Sequence, residues 1–194
     1  MVSGYEQSIN VNGDSPLLQF NQYFGELMER SYQGQYDGIA IVCIGCERST
    51  GDALGPLVGT KIAHLDKNCQ DIKVWGTLKN PVHAQNLQQT LEIIQSKGAP
   101  FVIAIDASLG RKEQVGHVIL REGSLRPGSG VGKDLPPVGQ ISIAGIVNIG
   151  GFMENAILQC TSLYVVHQMV NLISQGLHYH FYIRQKRDQQ SKII

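Results

Sequence analysis

Two acids, each preceded by an apolar run, are the residues best placed to do chemistry. Residues 39–45 read IAIVCIG and lead into STGDALGPLVG, which carries Asp52, and residues 101–106 read FVIAID and end on Asp106. An apolar, β-branched run that stops at a carboxylate has the pattern of a buried parallel strand. Such a strand delivers its acid to the carboxyl edge of an open α/β sheet, where ligands bind. Two carboxylates brought together there support general acid–base hydrolysis, or bind a metal. Each also has a plainer role. Asp52 can cap a helix starting at Ala53, and Asp106 can form a turn before Ala107 and Ser108.

The elements that must position these acids follow from periodicity. Residues 16–32 place Leu17, Phe20, Phe24, Leu27 and Met28 on one helical face. The first strand opens after Gly38, and residues 53–65, with Pro56 in the first turn, read as a helix. A short strand over 71–75, a helix over 82–97 closed by Gly98 and a strand over 100–106 follow. Residues 115–121 alternate as a less buried strand, 141–147 form another apolar run, and 151–175 carry one long helical pattern. Residues 1–16 are polar and are expected to pack loosely, as are 185–194 at the other end. Strands alternating with helices predict a three-layer α/β fold, a mostly parallel sheet with helices on both faces.

Length and composition agree with one such domain across the 194 residues. A chain of that size buries roughly 70% of its unfolded surface and needs no disulfide or metal staple. Charged residues are only 16% and Gly numbers 22, which suits a well-buried core with many tight turns. Lys+Arg and Asp+Glu balance at 16 each, so no electrostatic case exists for nucleic acid or an anionic membrane. Cys43 and Cys46 make a CxxC, but no second pair completes a zinc set, and the four cysteines read as buried thiols. With no signal peptide and no apolar run of membrane length, a cytoplasmic protein is expected.

Other motifs carry less. The loop PGSGVGK at 127–133 is glycine-rich, but Pro127 and Asp134 stand where a phosphate-binding Walker loop needs Gly and Ser or Thr. Its amides at Gly128, Ser129, Gly130 and Gly132 could still cradle a ligand, or the segment could be a plain turn. Ser49 and Thr50 lack a paired base and suit turn chemistry. The histidines at 64, 83, 117, 167, 178 and 180 share no motif with either Asp; His83 stands out only because KNPVH, 79–83, reads as a loop-to-helix junction.

The run TGDALGPLVG, the strand end IDAS and the loop PGSGVG occur in that order. In that order they resemble the spore germination proteases. Over residues 30–175 the chain is similar to the YyaC family of sporulation proteins, and more remotely to the hydrogenase-maturation endopeptidases. The resemblance implies a phosphorylase/hydrolase-like α/β fold, and it places Asp52 and Asp106 where the germination proteases have their catalytic aspartates. It also implies Gly128, Ser129, Gly130 and Gly132 as substrate-binding positions and a protein or peptide substrate, such as a spore protein, in the forespore or spore interior. In the hydrogenase endopeptidases the matching acids and a downstream His bind a metal. Gly139 stands about where that His would fall, and 122–140 contains none, so no metal and no cofactor are expected. The alternatives are a metal-assisted endopeptidase using the same acids and a binding protein that keeps the fold without turnover.

Overall fold

Ile39–Cys43, strand β2, is buried along its whole length because both of its faces are covered. Ile39, Ile41 and Cys43 belong to one apolar cluster, and Ala40 and Val42 to another. The two-residue alternation of a strand thus serves two layers of helix at once. The computed structural model describes residues 4–69, 71–128, 135–151 and 153–191, with side chains as far as 186.

The elements run β1 (Glu6–Asn10), α1 (Pro16–Ser31), β2, α2 (Leu54–Ile62), α3 (Leu65–Asn68), β3 (Ile72–Trp75), α4 (Leu87–Ser96), β4 (Phe101–Gly110), β5 (His117–Glu122), β6 (Ile141–Ile149), α5 (Glu154–Gln159) and α6 (Leu163–Ser191). One sheet takes the order β1-β5-β6-β4-β2-β3. β2 pairs parallel with β3 and β4, and β4 with β6, while β5 is antiparallel to both β1 and β6. β5 alone therefore runs against the rest, and the sheet is mixed but mostly parallel. α1, α2 and α6 supply the larger cluster on one face, and Leu87 and Ile94 of α4 cover the other. The three-layer α/β expectation holds. Among the described residues no helix is long and apolar enough to cross a membrane.

Several boundaries differ from the sequence expectation, each for a local reason. The polar N-terminal segment contains β1, an edge strand whose Ile9 is fully buried. Leu17 of α1 stays 36% exposed while Phe20, Phe24, Leu27 and Met28 are buried. The helix expected from 82 begins at Leu87, because Asn86 Oδ1 accepts from His83 N (2.8 Å) and holds 81–86 as a turn. The helix expected over 151–175 splits into α5 and α6. Two of the last α5 carbonyls are taken from outside the helix: Leu158 O accepts from Gly51 N (2.9 Å), and Ile157 O from Asn148 Nδ2 (3.3 Å). α6 then runs through the tail to Ser191. Of the cysteines, Cys43 and Cys69 are buried, whereas Cys46 is half-buried and Cys160 exposed, so the expectation of buried thiols holds for only two.

Candidate active site

β4 does not end at Asp106, as its apolar run suggests; it continues to Gly110. The end that matters belongs to its neighbour. Cys43, the last residue of β2, pairs with Ile105, and Ile44 N donates to Ile105 O (2.7 Å). Asp106 is the next residue, so its flank toward β2 is open, while its other flank stays paired with Ala144 of β6. By alternation its side chain shares the face of Val102 and Ala104. The carboxyl is therefore held by a strand at the point where the adjacent strand stops, a natural ligand-binding crevice.

Asp52 arrives by a loop tied down on both sides. Cys46 N donates to Asp52 O (3.1 Å), which closes the loop on itself. The N–H of Gly51 reaches α5, as above. The fit is tight enough to require glycine at Gly45, where φ is +142° and a Cβ would fall on the carbonyl oxygen of Asp52. Gly55, in the first turn of α2, is tight too: a Cβ there would fall on Ile44 O. The helix start thus packs directly over the end of β2, and Asp52 sits above the sheet edge.

The two acids line one cavity of about 230 Å³, whose walls include Ser49, His83, Pro127, Gly128, Asn155 and Gln159. A second cavity of about 470 Å³ opens from the same pair toward Ser108, Arg121, Ser124, Arg126, Gly128 and Glu154. Asp106 is 9% exposed. Its burial and, after it, the negative charge of Asp52 push its carboxyl well above the usual carboxylate range, against the opposing effect of the Ala107 N–H that donates to Oδ1 (2.8 Å). Of two neighbouring carboxyl groups, Asp106 is thus the one whose surroundings favour the protonated form.

The structure brings together Asp52, Asp106 and Gly128; Ser129, Gly130 and Gly132 lie outside the described residues. Gly128 has φ +68°. Sequence reasoning gave no role to α5, yet Glu154, Asn155, Leu158 and Gln159 all face these cavities. Nothing in a helical pattern marks a break at Cys160, so that wall was not legible. Ser49 lines the smaller cavity, and its Oγ is buried without a partner among the described residues. His83 also lines the cavity. His64 and His178 instead bond one another (2.9 Å), and His117 bonds Gln114 O (3.0 Å).

Two carboxylates would supply two ligands, but among the described residues no three His, Cys, Asp or Glu side chains converge as a metal group.

Comparison with known proteins places this architecture. A family profile described as protein of unknown function, DUF1256, matches residues 11–176. The chain is 49% identical over 140 residues to the uncharacterized protein YyaC of Bacillus subtilis (strain 168), covering 72% of this chain and 67% of the relative. Among solved structures it is similar to the NiFe hydrogenase maturation protease HycI from Thermococcus kodakarensis KOD1. That match has a TM-score of 0.50 at 18% identity and covers 78% of this chain and 99% of the other. A likeness at that identity concerns the fold alone.

Proposed function

Because this chain belongs to DUF1256, a family described only as of unknown function, its activity has to be read from the site, and we propose that it is a peptidase that hydrolyses a peptide bond with Asp52 and Asp106. The observation that carries this is the unequal pair: a buried Asp106 whose carboxyl is pushed up, sharing a cavity with Asp52 at the edge of a protease-like sheet. In the mechanism, ionised Asp52 takes a proton from water as its oxygen attacks the scissile carbonyl carbon. Asp106, with Oδ1 accepting from Ala107 N, uses its Oδ2 proton to hydrogen-bond the carbonyl oxygen and then protonate it. The tetrahedral diol collapses when the proton held by Asp52 passes to the departing nitrogen, and a diol proton returns to Asp106. No proton is gained or lost by the pair over the cycle. Residues 122–128 and 135–140, joined where Leu125 bridges Val138, flank the site and give an extended substrate a wall to lie against.

The sequence resemblance to spore germination proteases points to a protein of the sporulating cell as substrate, met in the forespore or spore interior. The test is digestion of proteins extracted from spores by wild type, Asp52→Asn and Asp106→Asn. Asn keeps the volume and most hydrogen bonds but cannot exchange the proton. Each variant should fold as wild type and lose about a hundred- to ten-thousand-fold in rate. A loss of only a few-fold would assign the acids to capping. Equal inertness of all three proteins would overturn the peptidase and favour a binding protein with this fold.

A further inference from the structure

His83 is the best-anchored polar side chain of the cavity that the proposed reaction does not use. Its backbone is fixed at both ends: N–H donates to Asn86 Oδ1 (2.8 Å), and C=O accepts from Asn86 N (3.0 Å) and Leu87 N (2.9 Å). Asn86 Nδ2 in turn donates to Pro81 O (3.0 Å). The preceding residue is tied to the sheet edge, since Val82 bridges Ile44 and its carbonyl accepts from Gly45 N (2.8 Å). The turn carrying His83 is therefore fastened to the end of β2, as the Asp52 loop is. Among the described residues the ring has one hydrogen bond: Gln85 N–H, which can only donate, meets Nδ1 at 3.3 Å. An imidazole whose Nδ1 accepts carries its proton on Nε2. Nε2 has no partner among the described residues, and the side chain lines both the dyad cavity and a neighbouring hollow that it shares with Asp52.

We propose that His83 is a substrate-binding residue whose Nε2–H donates a hydrogen bond to a backbone carbonyl oxygen of the peptide, holding it across the two aspartates. This rests on the peptidase reading and goes beyond it by assigning the group that fixes substrate on the Asp52 side. A donor on a turn fastened at both ends suits the task, because it does not need to move to meet the substrate.

Two measurements test it. Long-range proton–nitrogen NMR of the full chain labelled at histidine should show His83 protonated at Nε2 at pH 7.5; a ring protonated at Nδ1 would overturn the assignment with no substrate involved. Kinetics then use a synthetic peptide spanning the first cleavage site mapped in spore-protein extract. His83→Ala should lower kcat/KM roughly three- to tenfold, mostly through KM, the size of one neutral hydrogen bond. His83→Gln, which offers an amide N–H at similar reach, should recover most of that loss with an unchanged pH profile. An unaltered kcat/KM in His83→Ala, or a Gln variant as poor as Ala, would refute the role. If Asp106→Asn is inert while His83→Ala is unimpaired, only this inference fails. If wild type cleaves nothing in the extract, the peptidase and this inference fall together.

Discussion

Asp106 is a carboxyl with two reasons to stay neutral, and only one of them is local to its own strand. Burial acts on it alone; the charge of Asp52 acts on it because β2 and β4 are neighbours. This has a consequence for stability that needs no substrate. A carboxyl raised in the folded state contributes stability that is fully present below its unfolded pKa, about 3.9, and that is lost as pH rises through the folded value. The slope is at most about 1.4 kcal/mol per pH unit for one proton. Asp106→Asn removes this dependence. Its melting temperature relative to wild type should therefore climb as pH rises from 4 to 8, with Asn the more stable partner at the upper end. Parallel melting curves across that range would mean that the Asp106 carboxyl titrates normally. The same sign governs turnover: activity should fall on the alkaline side as Asp106 loses its proton, at a pH above the ordinary carboxylate range.

At the scale of the elements, the pairing of Asp52 with Asp106 is legible because an apolar run ending in an acid encodes both the strand and its edge. The end of β4 is not legible in the same way. The run FVIAID stops at Asp106, but β6 keeps pairing with β4 as far as Gly110, and pairing partners far along the chain leave no local mark. The α5 wall is hidden for a similar reason, since the bonds that end that helix come from Gly51 and Asn148. Gly55 shows tertiary contact overriding local preference in a form that can be tested. In an isolated helix Ala is favoured over Gly by about 1 kcal/mol. Here the added Cβ would fall on Ile44 O, so the first turn of α2 would have to lift off the end of β2. Gly55→Ala is therefore expected to destabilise by on the order of 1–3 kcal/mol, read as a lower urea midpoint, and to impair cleavage beyond the loss of folded protein, because the same turn seats Asp52. A stabilised variant would show that the helix start is not tightly seated.

Across the whole molecule, the chemistry and the packing that supports it sit at opposite ends of the strands. α6 follows from Thr161, beside the Asp52 loop, and runs the length of the sheet to the amino ends of the strands. There Arg184 pairs with Asp71, just before β3, and Gln185 Nε2 donates to Asn68 O (2.6 Å). At that far end Phe181, 1% exposed, meets Phe24 of α1 edge-on with ring centroids 6.3 Å apart, and Phe24 also meets His180 at 4.9 Å. Truncating such a ring in a packed core costs about 3–5 kcal/mol. Domains carry about 5–15 kcal/mol in all, so Phe181→Ala should remain folded at 25 °C, with a melting temperature lower by roughly 6–20 °C for a chain of this size. Because β2 and β4 lie between that cluster and the acids, the folded fraction of Phe181→Ala should keep the wild-type kcat and the wild-type pH profile. Circular dichroism at the assay temperature establishes the folded fraction, and cleavage is normalised to it. A loss of kcat comparable to that of Asp106→Asn, in protein that is still folded, would mean that the far packing sets the geometry of the dyad, and that scaffold and site are not separable along the strands.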